Sequence, residues 1–341
     1  MKILILKPSS LGDVIQALPV LRLLKRHLPN SEIYWWLDAN LVPLLDGDPD
    51  LAGIFPFQRK RWAGVHRWPE IATSIRTMRA KRFDYAIDLQ GLARSALFAW
   101  LSNPDVLIGL DNPREGGREG ARALYDLTPL RCEPGTHAVD RYAAVLPLLN
   151  IPVRWDFDWL PQRPAAAASV QEKWSPKNEQ WVALIPGARW ANKLWPIENF
   201  SAAVKLLCKN PDLKFAVLGS SEDKQLGQTI SSAAPGRVLD LTGQTSFHEM
   251  IEWLRLSRLV IGNDTGPMHV AAALRKPIVA LFGPTDPRSA GPFRQLENVL
   301  QASEPPCIPC LKGRCFYPDR IACLKAITPE QVFNKASALL A

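Results

Sequence analysis

The chain has 341 residues, 47% of them hydrophobic and 22% charged, with a formal net charge of +8. That length exceeds one ordinary hydrophobic core and predicts two domains, and the composition is that of a soluble globular protein. No apolar run approaches a membrane span, and the segment after Met1 lacks the basic start, apolar core and cleavage site of a secretory signal, so a cytoplasmic protein is expected.

Lys2-Ile-Leu-Ile-Leu6 is an apolar run of the kind buried on both faces of a parallel sheet. It enters Lys7-Pro-Ser-Ser-Leu-Gly-Asp-Val14, after which Val14, Leu18, Leu21 and Leu24 keep helical spacing, so a βα unit opens the chain. Strands are predicted at 33–37, 85–89 and, more weakly, 106–110, with helices at 69–82, 91–101 and 138–149. Residues 59 to 82 hold eight Lys or Arg against one Glu, with Trp62, His66 and Trp68 interleaved. Such a patch suits a phosphorylated ligand or an anionic membrane surface, or is a solvated helix face. No nucleic-acid-binding motif accompanies it, so nucleic acid is not expected as a partner. Residues 111–136, rich in Gly, Pro and Arg, read as a long loop over a site or a mobile segment.

From Ile151 to Gln180 the chain carries four prolines, an Ala run and mixed charge without clear periodicity, and the interdomain linker is placed there, at 161–180. The alternation then restarts, with strands at 182–185, 215–218, 238–241, 259–262 and 277–282 and helices at 198–208, 222–233 and 246–256. This predicts an α/β protein of two doubly wound, Rossmann-like halves facing a central cleft: 1–160, then 181–327, and a final helix at 328–341. Neither half holds the Gly-x-Gly-x-x-Gly fingerprint or a phosphate-binding P-loop, which argues against simple nicotinamide and P-loop chemistry.

The stretch Val260 to Leu274 reads as a buried strand running into a helix N-terminus. Gly262 and Gly266 suit a sharp turn, Pro267 fits the first helical turn, and Thr265 or Asp264 can cap it. The N–H groups and dipole of that helix face the loop, where a phosphate is the natural occupant; the alternative is an ordinary capped turn with nothing bound.

Five segments taken together resemble a known family. Lys7 to Val14, Asp88-Leu-Gln-Gly-Leu92 with Arg94 and Ser95, Pro186-Gly-Ala-Arg-Trp-Ala-Asn-Lys-Leu-Trp-Pro196, Gly262 to His269 and Phe282-Gly-Pro-Thr-Asp-Pro287 are similar, in order, to the motifs of the bacterial lipopolysaccharide heptosyltransferases. Those are inverting, two-domain GT-B enzymes of glycosyltransferase family 9. The resemblance implies transfer of heptose from ADP-heptose to the Kdo or heptose of the lipopolysaccharide inner core, with no cofactor required.

Inverting transfer needs a base for the acceptor hydroxyl and a charge to meet the departing diphosphate. Asp13 matches the family's catalytic Asp and is the expected base, although an Asp at a helix start is also a routine cap whose pKa the dipole depresses, so an opposing desolvation is expected. Lys193 matches the Lys that contacts the nucleotide phosphates. Together with the helix N-terminus at Thr265, Gly266 and Pro267 it would stabilise leaving ADP; Arg189 of the same motif is placed with the donor. Asp264 is assigned to the sugar hydroxyls or to ordering the phosphate loop, since a carboxylate beside a diphosphate is repelled. His269 either joins the donor site or packs. Glu222, or its neighbour Asp223, would accept from the ribose hydroxyls. On the first domain, Arg61, Arg114 and Arg141, with Lys60, resemble the arginines that meet the acidic acceptor, and Ser9 and Ser10 would add loop hydrogen bonds. The basic run would keep the enzyme peripheral to the anionic inner membrane.

Cys307, Cys310, Cys315 and Cys323 cluster four of six cysteines near the C-terminus, which in a cytoplasmic chain suggests structural Zn or Fe, with reduced structural thiols as the alternative. The last helix, from Thr328, is expected to return to the first domain, as is common in GT-B proteins. A protein O-heptosyltransferase, suggested by the cysteine cluster, and a GT-B protein that binds nucleotide-sugar without transferring it are the competing readings.

Overall fold

The computed structural model describes residues 1–59, 61–63, 65–110, 120–176 and 179–341. They form two compact units, Met1–Pro161 and Gln162–Ala341.

In the first unit β1 (Lys2–Leu6) leads into α1 (Leu11–His27), β2 (Glu32–Asp38), the one-turn α2 (Val42–Leu45) and β3 (Gly53–Phe57). Then follow α3 (Trp68–Arg79), β4 (Tyr85–Asp88), α4 (Ala93–Leu101), β5 (Val106–Gly109) and α5 (Ala138–Ala143). The sheet is parallel, in the order β3-β2-β1-β4-β5. Ile3 to Leu6 of the central strand are wholly inaccessible, as an apolar strand covered on both faces must be. Strand order reverses at β1, so the loop that follows it lies at the switch point where open α/β sheets present ligands. One face of the sheet carries an aromatic core in which Trp36 packs on Phe57 and Phe98, with ring centroids 4.4 and 4.9 Å apart.

Two elements depart from expectation here for a reason involving proline. β3 contains Pro56 and was not anticipated; it survives because it pairs only with β2 and forms the sheet edge, where a missing N–H breaks no ladder. The helix expected over 138–149 ends at Ala143, and Pro147 falls in a separate 3-10 turn, Leu146–Leu149. Within the expected loop 111–136, residues 111–119 lie outside the described residues, and Ala121–Leu124 forms a 3-10 turn.

The second unit opens with α6 (Pro164–Trp174) and β6 (Gln180–Ile185), then α7 (Ile197–Leu207), β7 (Leu213–Val217), α8 (Lys224–Ala233) and β8 (Val238–Asp240). It continues through α9 (Phe247–Leu256), β9 (Leu259–Asn263), α10 (Gly266–Ala273), β10 (Ile278–Phe282) and the short α11 (Pro287–Ala290). β11 (Val299–Gln301), α12 (Ala322–Lys325) and α13 (Pro329–Leu340) complete it. Its parallel sheet runs β11-β10-β9-β6-β7-β8, so the switch point lies between β6 and β9.

The segment read as a linker is therefore largely helix. α6 buries only Val170, so it carries no apolar stripe to read, and it is held instead by Glu249 of α9, which accepts from Lys173 Nζ at 2.6 Å and Ser169 Oγ at 2.7 Å. In the C-terminal helix the two buried residues, Val332 and Ala336, enter the core of the second unit beside Leu207 and Val279. Taken with the strand orders, the chain has the α/β architecture of the GT-B class, with a Rossmann-like sheet in each unit.

Candidate functional site

Each unit carries a candidate site. In the first, β1 ends at Leu6 and the chain turns through Lys7 to Ser10 into α1, with Ser10 as N-cap and Asp13 at the third helical position. The Ser10 backbone N–H and hydroxyl both donate to Asp13 Oδ2, at 2.8 and 2.7 Å. The Tyr142 hydroxyl donates to Oδ1 at 3.1 Å, and Lys7 Nζ lies 3.8 Å from the same oxygen. Lys7 is itself buried: its ammonium donates to the Leu89 carbonyl at 3.2 Å and lies 4.4 Å from the centre of the Tyr142 ring.

This arrangement fixes the ionisation of Asp13. Burial pushes its pKa up, as expected, but the Lys7 charge and the donations from Ser10 and Tyr142 outweigh burial, and the net shift is downward. The carboxylate is thus ionised, oriented through both oxygens, and still 39% exposed. Ser10, expected to meet a substrate, has its hydroxyl committed to Asp13. Lys7 and Tyr142 were not singled out from sequence. Lys7 had a readable signal, a lysine closing an apolar strand; Tyr142, on a helix one turn past His137, looks like any core aromatic.

The remaining acceptor-side residues are spread more widely. Ser9 is half-buried in the same loop. Arg61 is exposed and donates to Glu70 Oε1 at 2.8 Å. Arg141, beside Tyr142 on α5, is buried and donates to the Thr136 carbonyl at 2.6 Å, so it braces the approach to α5 rather than standing in solvent. Lys60 and Arg114 lie outside the described residues.

In the second unit the loops after β6 and β9 meet across the switch point. Ile185 pairs with Gly262, and a Cβ at Gly262 would lie 2.8 Å from the Ile185 Cβ. Close packing of the two strands therefore requires this glycine, rather than the turn freedom expected of it. Asn263 locks the loops together, accepting from the Trp195 N–H at 3.1 Å and donating to the Pro186 carbonyl at 2.6 Å. Lys193 Nζ and Thr285 Oγ1 both donate to Asp264 Oδ2 at 2.5 Å, and Asp264 is buried.

Asp264 is consequently not the cap of α10. Thr265 occupies the N-cap position without a side-chain cap bond, and Gly266 and Pro267 begin the helix. His269, one turn in, is buried. Arg189 is exposed on the β6 loop, where Trp190 lies 5.0 Å beneath Lys193 Nζ. Of the two acids proposed for the ribose, Asp223 accepts from the Ser220 N–H and hydroxyl at 2.7 and 2.8 Å and fills the space left by Gly187, where a Cβ would lie 2.4 Å from its Oδ1. Glu222 is exposed at the same strand end.

The Zn or Fe expected at the cysteine cluster finds no support in the structure. All four thiols are free, and among the described residues no group of three or more His, Cys, Asp or Glu side chains is placed to hold a metal ion. Cys323 is buried, 3.2 Å from where a Cβ at Gly283 would be, while Cys315 Sγ accepts the Ile321 N–H at 3.4 Å and Cys307 is exposed. Burial pushes the Cys323 thiol up, and the nearby Cys315, Cys307 and Cys310 raise it further.

Comparison with known proteins agrees with this geometry. The family model described as glycosyltransferase family 9 (heptosyltransferase) matches residues 71–320. Lipopolysaccharide heptosyltransferase 1 of Pseudomonas aeruginosa is 26% identical, with 100% of this chain and 98% of that protein covered. Lipopolysaccharide heptosyltransferase 2 of Salmonella typhimurium is 29% identical over 88% of each. Among solved structures, the ADP-heptose lipopolysaccharide heptosyltransferase II of E. coli superposes with a TM-score of 0.78 at 24% identity, covering 100% of this chain and 98% of that one. The family model spans well over half of the chain, which belongs to glycosyltransferase family 9, the heptosyltransferase family.

Proposed function

We propose that this family 9 enzyme is an inverting transferase that moves heptose from ADP-heptose to the Kdo or heptose of the lipopolysaccharide inner core. The observation that carries the reading is the Asp13 carboxylate, ionised by Lys7, aimed by Ser10 and Tyr142, and open to solvent at the switch point of its sheet. Asp13 removes the proton of the acceptor hydroxyl as that oxygen forms its bond to the anomeric carbon from the face opposite the leaving group. The bond from that carbon to the diphosphate oxygen breaks, and ADP departs with the electron pair.

Lys193 and the N-terminus of α10 meet the charge that develops on ADP, so the reading requires no cofactor. Asp264 holds the Lys193 ammonium in place and keeps to the sugar side of the phosphates; Glu222 serves the ribose. Binding of the acidic acceptor is assigned to Arg61, Lys60 and Arg114. No helix among the described residues is long and apolar enough to cross a membrane. Peripheral attachment is assigned to the basic run, in which Arg76, Arg79 and Arg82 are exposed.

The test is transfer by purified protein from ADP-heptose to heptose-free inner core carrying Kdo, read by mass, beside Asp13→Ala. The expected result is a gain of one heptose, reduced about a hundredfold or more in the variant with donor binding retained. No gain on Kdo, on heptosylated core or on protein, despite saturable donor binding, would replace this reading with binding alone. Gain on protein only would move the acceptor.

A further inference from the structure

The segment between β11 and α12 takes no part in the reaction as read above, yet three of its contacts converge on the loops that hold Lys193. Asn192 is buried, 5% exposed, and its Nδ2 donates to the Lys312 carbonyl at 2.8 Å. The backbone of Gly313 lies against the Trp190 indole, where an added Cβ would come within 3.3 Å of Cε2. The Leu311 N–H donates to the Pro284 carbonyl at 2.8 Å, one residue before Thr285, whose hydroxyl shares Asp264 with Lys193.

Lys193 is thereby held by three supports: the Asp264 carboxylate, the face of Trp190, and the Ala191–Lys193 turn that Asn192 anchors. The last two lean on Lys312 and Gly313, and the first leans on Leu311 through Pro284 and Thr285. Lysine carries a flexible four-carbon stem, and a binding ammonium gains affinity when its surroundings order that stem in advance. The Asn192 Oδ1 is buried with no hydrogen-bond partner among the described residues, an arrangement that costs free energy and is offset at the same side chain by the bond to Lys312.

We infer that Leu311–Gly313 is a brace for the donor-phosphate site, with Asn192 and Gly313 as positioning residues that set donor affinity through Lys193 and Trp190 without touching the donor. This rests on Lys193 meeting the donor diphosphate.

The experiment measures ADP binding by calorimetry, and donor kcat/KM and acceptor KM, on the full chain carrying Asn192→Ala, Gly313→Val or Lys193→Met. Asn192→Ala removes the turn anchor and Gly313→Val displaces the indole, two unrelated lesions with one expected consequence. Each weakens ADP binding and lowers kcat/KM for the donor about three- to tenfold, the scale of one hydrogen bond, with acceptor KM within about twofold of wild type. Should Gly313→Val not fold, Gly313→Ala, whose Cβ requires the indole to give by only a few tenths of an ångström, is expected to show a smaller loss in the same direction.

If Lys193→Met loses ADP while the Asn192 and Gly313 variants bind it as wild type does, whatever their melting temperatures, the brace is overturned and the role of Lys193 stands. If Lys193→Met binds ADP normally, the assignment of Lys193 fails and takes the brace with it.

Discussion

The Lys7 ammonium lies 3.8 Å from the Asp13 carboxylate, with Lys7 2% exposed and Asp13 39%. A buried cation behind a partly exposed anion polarises the pair in one direction: the carboxylate faces outward, and the lysine holds its charge from within. The position and the ionisation of the Asp13 carboxylate are thus set by different residues, Ser10 and Tyr142 for the first and chiefly Lys7 for the second.

A pH prediction follows from the direction of that shift. A folded-state pKa below the ordinary carboxylate value of about 4 means that Asp13 stays ionised, and activity stays flat, as pH falls toward that value. In Lys7→Met, of similar volume and no charge, desolvation is left less opposed and the acid limb of kcat/KM moves to higher pH. Rate profiles of both proteins measure this; superimposable acid limbs would show that Lys7 does not govern the base.

Lys193 and Asp264 form a pair with side chains 18% and 6% exposed. Lys193→Ala strands a buried carboxylate that keeps the Thr285 hydroxyl as a donor, and unfolding stability should fall by about 2–4 kcal/mol, nearer the cost of breaking a buried pair than of losing a surface one. Urea denaturation checks it; a loss below about 0.5 kcal/mol would mean that water reaches Asp264 freely.

Glu249 makes the attachment of α6 dependent on acid. Burial would raise its pKa, but Lys173, Ser169 and the Ser246 cap lower it to about 2. A depressed folded pKa gives stability that is present above the unfolded value of about 4.3 and lost as pH falls from there toward 2. The contribution is roughly 1–3 kcal/mol, discounted because Lys173 is half exposed. Glu249→Gln should lose that amount at neutral pH and flatten the stability profile over the same acid window, as measured by unfolding at several pH values.

Gly109 is predicted to be intolerant of alanine. A Cβ there would lie 2.3 Å from the Tyr125 ring, and the Tyr125 hydroxyl donates at 2.9 Å to Asp88, a fully buried carboxylate that burial already pushes toward its neutral form. Displacing the ring removes a donor from Asp88 as well as crowding the core. Gly109→Ala should cost about 1–3 kcal/mol or more in a denaturation midpoint, against a few tenths at the uncrowded, surface-facing Ala80 changed to Ser.

What the sequence by itself determined was periodic or local. Apolar strands such as Lys2–Leu6 and Leu259–Asn263 announce a parallel sheet because both of their faces are covered, and the motifs around Asp13, Lys193 and Asp264 sit where those strands end. Local rules fell short where no stripe or propensity carried the information. α6 buries one residue, β3 tolerates Pro56 only because it is an edge, and the cysteines' spacing says nothing of where their sulfurs point. Only the tertiary structure decided that Lys7 and Tyr142 stand behind Asp13, that Lys193 is held by Asp264 and Thr285, and that Asn192 reaches Lys312. Those partners are 6, 129, 71 and 120 residues apart in the chain in the cases of Lys7, Tyr142, Lys193 and Asn192, and all but the first are beyond the reach of any local pattern. Charge and hydrogen bonding act through space, and the fold alone brings such side chains within their range.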